Sequence, residues 1–362
     1  MGWTCRKLEI GNGKTKIMNK QILKDTIQQL FSGNKGLLAM DESTGTCNKR
    51  FDAAGIPQTI EMRRKYRELI ITTPGLNESI GGAILYDETI RQQTTDGIPM
   101  AEALVKAGII PGIKVDMGAK SMAGFPNEKI TEGLDGLRDR LAEYKKLGAR
   151  FAKWRGVITI GDNIPTIACI KANVHALARY AALCQEADIV PIVEPEVLMN
   201  GNHSLERCYI TTEQVLKTFF YQLYQFGIDL QGMILKPNMV IAGAENRVKS
   251  SVDEVAEATV NCLLESVPAT VPAIAFLSGG QSPEEATAHL NAMNKNFKNH
   301  LPWVVSFSFA RAIQQPALDI WKGQETNVKE AQKLLYKRAK LDTAARQGQY
   351  NAAMEEQEHL IE

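Results

Sequence analysis

Eight short apolar runs, each ending at or beside a polar side chain and each followed by helical sequence, recur at roughly 30- to 45-residue intervals along this chain. They lie at residues 36–41, 82–87, 112–116, 151–155, 189–196, 232–236, 273–277 and 303–309. Strand–helix alternation of this kind demands parallel pairing, because each crossover returns the chain to the same edge. Eight such units predict a closed (β/α)8 barrel, a TIM barrel with its helices outside. The alternative, a doubly wound open sheet, lacks support: no G-x-G-x-x-G opens a helix after an early strand. The 362 residues then divide into an arm at 1–20, a barrel domain at 21–345 and a polar tail at 346–362.

Helix signals fall between the runs. A first helix over 21–31 is closed by Gly33, and an amphipathic stretch over 134–147 is stopped by Gly148. Further helices are expected over 63–71, 164–187 and 328–345. Thr211-x-x-Gln214 reads as a capping box for a helix reaching residue 226, and Ser251-x-x-Glu254 as another. Ser282-Pro283-Glu284-Glu285 adds a proline at the first helical position.

The chemistry collects at the strand ends, where barrels build their sites. Asp41, Lys114, Lys153, Arg155, Glu194, Glu196, Lys236, Ser278 and Ser308 all fall there. Lys114-x-Asp116, Lys153-x-Arg155 and Glu194-x-Glu196 each put two side chains on one strand face, about 7 Å apart. The bland reading makes them rim ion pairs. Lys236 closes the run Gly232-Met233-Ile234-Leu235 and precedes Pro237. Such a lysine either snorkels its amine to water or holds it in an apolar mouth, where it turns nucleophilic toward carbonyls. Glu194 between two such strands is placed to move protons, and the set suits Schiff-base chemistry. After strands seven and eight, Ser278-Gly279-Gly280-Gln281 and Ala310-Arg311 offer backbone N–H groups and a guanidinium to a phosphate. Asp41-Glu42-Ser43-Thr44-Gly45-Thr46, followed by Lys49-Arg50, is either a second anion site or a plain helix cap with a basic turn.

Composition removes other classes. A net charge of +1 gives no footing for nucleic acid or a membrane surface. Six scattered cysteines without C-x-x-C read as reduced thiols of a cytoplasmic protein. The five histidines lack zinc-ligand spacing, so no metal and no cofactor is expected. No run reaches transmembrane length, and the polar first twenty residues do not resemble a signal peptide.

Six stretches together resemble the class I fructose-1,6-bisphosphate aldolases: Leu38-Ala39-Met40-Asp41-Glu42-Ser43-Thr44-Gly45, Gly112-Ile113-Lys114-Val115-Asp116, Ala152-Lys153-Trp154-Arg155, Val190-Pro191-Ile192-Val193-Glu194-Pro195-Glu196, Leu235-Lys236-Pro237-Asn238-Met239 and Phe276-Leu277-Ser278-Gly279-Gly280-Gln281-Ser282. The resemblance implies metal-independent, reversible cleavage of fructose 1,6-bisphosphate through a lysine Schiff base by a homotetramer. By position it implies Lys236 as the imine lysine, Glu194 as the acid–base residue with Glu196 beside it, and Asp41 and Lys153 on the substrate hydroxyls. Ser278, Gly279 and Arg311 would hold the C1 phosphate. Ser43, Thr46, Arg50 and Lys114 would form the other phosphate region. Ala310 stands where the family commonly has glycine, and Thr46 where serine is common. The family's animal members end in a tyrosine that assists proton exchange, whereas here Tyr350 is followed by twelve further residues that read as untethered. Rival readings are another Schiff-base lyase on the same fold, a cofactor-free isomerase and a non-catalytic scaffold.

Overall fold

The computed structural model describes residues 19–357. Most of the arm expected at 1–20 and the last five residues lie outside that span. Among the described residues ten strands form: β1 Gly36–Ala39, β2 Ile80–Leu85, β3 Ile110–Lys114, β4 Ala119–Ser121, β5 Lys129–Thr131, β6 Phe151–Ile158, β7 Val190–Val197, β8 Ile234–Leu235, β9 Ala273–Phe276 and β10 Val304–Phe309. All but β4 and β5 close into one parallel barrel in sequential order, with β10 returning to β1. The doubly wound alternative is thereby excluded.

Twelve helices accompany the described strands. α1 (Lys20–Phe31) precedes the barrel, and α2 (Thr44–Ala53) and α3 (Ile60–Ile71) follow β1. α4 (Asp87–Ile90) and α5 (Met100–Lys106) follow β2, and α6 (Leu137–Lys146) precedes β6. α7 (Ile167–Glu186), α8 (Leu205–Gln225), α9 (Val252–Ser266) and α10 (Pro283–Asn296) follow β6 to β9 in turn. α11 (Arg311–Trp321) and α12 (Val328–Arg346) complete the ring.

The alternation of strand side chains sorts residues into two cores. Leu37, Ala39, Ile84, Phe151, Val190, Ile192, Ile234, Ala273 and Ala275 fill the barrel interior, where they meet Leu23, Ile27, Leu30 and Phe31 of α1. α1 therefore plugs the N-terminal mouth. Gly112 makes room for this packing, since a Cβ there would lie 2.2 Å from the Phe151 ring. The opposite parity packs under the helices in the larger cluster. Two residues above the interior floor come Asp41, Lys114, Lys153, Glu194 and Lys236. The apolar plug below and the parity of each strand together aim these charges into the upper mouth.

Three local expectations change. The capping box at Thr211 does not form: α8 starts at Leu205, where Ser204 Oγ accepts Arg207 N–H at 3.1 Å. Thr211 instead lies inside the helix and donates to Arg207 O at 2.8 Å, because the buried stripe runs back through Cys208. The antiparallel β4–β5 hairpin was not anticipated, its first strand being exposed and only three residues long. The segment after Tyr350 is not untethered as far as it is described. Glu355, in a 3-10 turn over Ala352–Glu356, accepts two hydrogen bonds from Arg338 and one from Tyr350 Oη. Both remaining capping boxes, at Ser251 and Ser282, form as read.

Candidate active site

Lys236 follows the two-residue strand β8, with its N–H donated to Val193 O at 2.8 Å. That ladder bond and Pro237 fix the backbone, so the stem runs up the barrel interior and only 3% of the residue reaches solvent. Its ammonium lies 3.2 Å from Glu194 Oε1. The other carboxylate oxygen lies 3.2 Å from Lys153 Nζ, which in turn contacts Asp41 Oδ2 at 2.7 Å. Lys153 of β6, Glu194 of β7 and, just past β8 and β1, Lys236 and Asp41 thus form one buried chain of alternating charge: Lys236, Glu194, Lys153, Asp41.

Mutual pairing sets the protonation of this chain. Burial works against the Asp41 carboxylate, but the Lys153, Lys236 and Lys114 ammoniums outweigh it and hold the carboxyl down to about 2. The same contest, with Lys153, Lys236 and Arg155 on the favourable side, holds Glu194 below the usual carboxylate range. Burial disfavours the Lys153 ammonium, yet Asp41, Glu194 and Asp116 raise its proton affinity above an ordinary lysine's. Lys153 is a fixed positive charge. Glu194 Oε2 is buried and has no aligned hydrogen-bond donor despite its proximity to Lys153.

Around this chain the rim pairs form. Glu196 accepts from Arg155 Nε, and Lys114 Nζ sits 2.6 Å from Asp116 Oδ1. Part of the bland reading is therefore right, since these two are ion pairs at the mouth. They still line the same cavity, of about 1140 Å³, as the four-residue chain.

Two helix N-termini face that cavity. α11 begins at Arg311 after Ala310, and no side chain caps it, so its first N–H groups are free for an anion. Ala310, at the N-cap of this helix, has φ −111° and ψ −88°. The turn Ser278–Gln281 has φ of +60° at Gly279 and +90° at Gly280, a pair of values that glycine alone adopts freely. A Cβ on Gly280 would meet Arg311 Nη2 at 3.1 Å. α2 supplies the second N-terminus, with Ser43 Oγ 3.1 Å from Thr46 Oγ1. Ser43, Thr46, Arg50, Ser278, Gly279, Ser308 and Arg311 all line the cavity, whereas the exposed Gly280 does not.

Arg50 is held differently from the sequence reading. Its guanidinium is turned onto Glu42 Oε1, while Arg67 Nη1 takes Glu42 Oε2 at 2.8 Å. Burial opposes the Glu42 charge, and Arg67 and Arg50 overcome it to hold that carboxyl below its ordinary value. Glu42, Arg67 and Asn238 were given no role from sequence. Asn238 Oδ1 accepts Val197 N–H at 2.9 Å, which ties the end of β7, next to Glu196, to the segment after Lys236. The available signal was the placement of Arg67 on the same face of α3 as Tyr66 and Ile70, a stripe that also buries Arg63.

Among the described residues no group of His, Cys, Asp and Glu is arranged to hold a metal ion. Cys47, Cys169, Cys184, Cys208 and Cys262 are buried free thiols. No described helix is long and apolar enough to cross a membrane.

Comparison with known proteins gives a consistent picture. The family described as "Fructose-bisphosphate aldolase class-I" matches residues 22–361. A probable fructose-bisphosphate aldolase class 1 of Xanthomonas campestris is 54% identical over 334 residues, 92% of this chain and 99% of that one. The cytosolic fructose-bisphosphate aldolase 6 of Arabidopsis thaliana is 49% identical, over 87% and 88% of the two chains. A solved fructose-bisphosphate aldolase from Plasmodium falciparum superimposes with a TM-score of 0.90 at 45% identity, over 92% of this chain and 96% of that one.

Proposed function

The chain belongs to the class-I fructose-bisphosphate aldolase family, and from that premise we propose how its side chains divide the reaction. It is a lyase that cleaves fructose 1,6-bisphosphate reversibly to dihydroxyacetone phosphate and glyceraldehyde 3-phosphate through a lysine Schiff base, the glycolytic reaction. In our reading Lys236 passes a proton to Glu194, 3.2 Å away, and supplies the free amine. It adds to the C2 carbonyl, and the carbinolamine loses water as Glu194 delivers a proton to the departing hydroxyl. The C3–C4 bond then breaks, its electrons passing into the iminium, while the C4 hydroxyl proton goes to the Glu194 carboxylate. Lys153 and Asp41 orient the substrate hydroxyls, and the fixed charge of Lys153 stabilises the developing alkoxide. Protonation at C3 and hydrolysis release dihydroxyacetone phosphate and restore the amine.

The C1 phosphate would rest on Ser278, Gly279, Arg311 and the uncapped N-terminus of α11, beside Ser308. The far phosphate would rest on Ser43, Thr46 and Lys114, with Arg50 leaving Glu42 to join it. We further propose a cytoplasmic homotetramer, whose mass in light scattering should be four times the 40.0 kDa chain; a monomer would refute that.

The observation that carries the assignment is the Lys236–Glu194–Lys153–Asp41 chain, with both Glu194 oxygens 3.2 Å from an ammonium. Lys236→Met tests it: cleavage should fall to background while inorganic phosphate still binds. Retained cleavage would remove Lys236 from the chemistry.

A further inference from the structure

We propose that Gln281 and His289 form a positioning relay that holds the Ser278-Gly279-Gly280 turn in its anion-binding shape. Ser278 O receives two hydrogen bonds from the same residue, Gln281 N–H at 3.1 Å and Gln281 Nε2 at 2.8 Å. That carbonyl is thereby held within the turn by two donors of one residue. With that oxygen fixed, Gly279 and Gly280 hold their left-handed backbone, and the space over Gly280 is left for Arg311. A carbonyl released from Gln281 could rotate toward the cavity and set an oxygen against the phosphate.

The amide of Gln281 does this only in one orientation. Its Nε2 must face Ser278 O, and it also lies 3.6 Å from Met239 Sδ, so Oε1 must face the other way. There it meets His289 Nδ1 at 2.6 Å. Because Oε1 can only accept, Nδ1 carries the hydrogen, and the ring of His289 sets the direction of the amide. Both residues are more than nine-tenths buried, so water does not compete for these bonds. Burial pushes the imidazole down to about 4, which keeps it neutral in this tautomer at any working pH. α10 carries His289 and starts at the Ser282–Glu285 capping box next to the turn. Turn and relay are thus anchored on one rigid element.

This inference rests on the reading of Ser278, Gly279 and Arg311 as the C1-phosphate grip, and the experiment separates the two. Competitive inhibition by inorganic phosphate and the KM and kcat for fructose 1,6-bisphosphate are measured for Gln281→Leu, His289→Phe, His289→Asn and Arg311→Ala. The relay predicts a phosphate inhibition constant raised about five- to tenfold in Gln281→Leu and His289→Phe, with KM rising more than kcat falls. His289→Asn, which restores an N–H near the place of Nδ1, should recover most of that loss. Should Gln281→Leu fail to fold, Gln281→Glu carries the same test, since it keeps an acceptor for His289 and loses the donor to Ser278 O. If Arg311→Ala weakens phosphate and neither relay variant does, the relay is wrong while the grip stands. If Arg311→Ala has no effect, the grip itself is wrong and the relay falls with it.

Discussion

Replacing Glu194 with glutamine removes one charge and almost no volume, so its effects can be worked from the distances. Each ammonium 3.2 Å from the carboxylate feels an attraction of about 5 kcal/mol at an effective dielectric of 20. Much of that offsets the cost of burying the charges, and breaking a buried pair typically costs about 3–5 kcal/mol net. Lys153 keeps Asp41 at 2.7 Å, so only Lys236 is left without a counter-charge, and the loss belongs at the lower end, about 3 kcal/mol. Catalysis should suffer independently, because glutamine can neither donate the proton for dehydration nor accept the C4 hydroxyl proton. Turnover should fall by about 10²–10⁴, the range of a lost acid–base group. Urea titration followed by secondary structure gives the first number. A coupled assay for glyceraldehyde 3-phosphate, normalised to folded protein, gives the second. A purely structural Glu194 would lower the urea midpoint and leave turnover per folded molecule near the wild-type value; that result would refute the proton-transfer role.

Other predictions follow from the same geometry. Asp41, held down to about 2 against an ordinary 3.8, adds stability that is fully present above pH ~4 and lost as pH falls through ~2. Asp41→Asn should therefore flatten acid unfolding between those values by about 2 kcal/mol; an unchanged acid limb in urea titrations at stepped pH would contradict the pairing. Arg311→Ala should raise KM for fructose 1,6-bisphosphate about ten- to a hundredfold while affecting an unphosphorylated ketose less, and equal losses on both would point to structural damage. Removing residues 358–362, beyond the Glu355 anchor, should leave cleavage and hydrogen exchange on dihydroxyacetone phosphate nearly unchanged. A selective loss of exchange would assign the proton at C3 to the tail.

The barrel was legible because closure of eight strand–helix units depends only on periodicity, and each strand's parity then decided which charges face inward. Lys236 and Glu194 could be named for the same reason: each lies on the inward parity of its strand, two residues past the apolar interior. What could not be read depends on contacts across the closed ring. Glu42 and Arg67 are 25 positions apart and look like solvated charges until α3 folds over the end of β1. The pull of Glu42 on Arg50 is equally invisible in the basic turn Lys49-Arg50. Thr211 was misread because its capping pattern sits inside a helix whose true start, Ser204, lies in the loop after β7. The Glu355 anchor escaped because a polar terminal stretch shows no sign of the buried arginine awaiting it.

The central claim is that the amine of Lys236 carries the substrate. Borohydride reduction in the presence of dihydroxyacetone phosphate, followed by proteolysis and mass mapping, tests it most directly. The account predicts one reduced triose phosphate adduct, on Lys236, in the peptide containing Leu235-Lys236-Pro237. An adduct on Lys153 or Lys114 instead, or full protection from borohydride inactivation at saturating substrate, would contradict it.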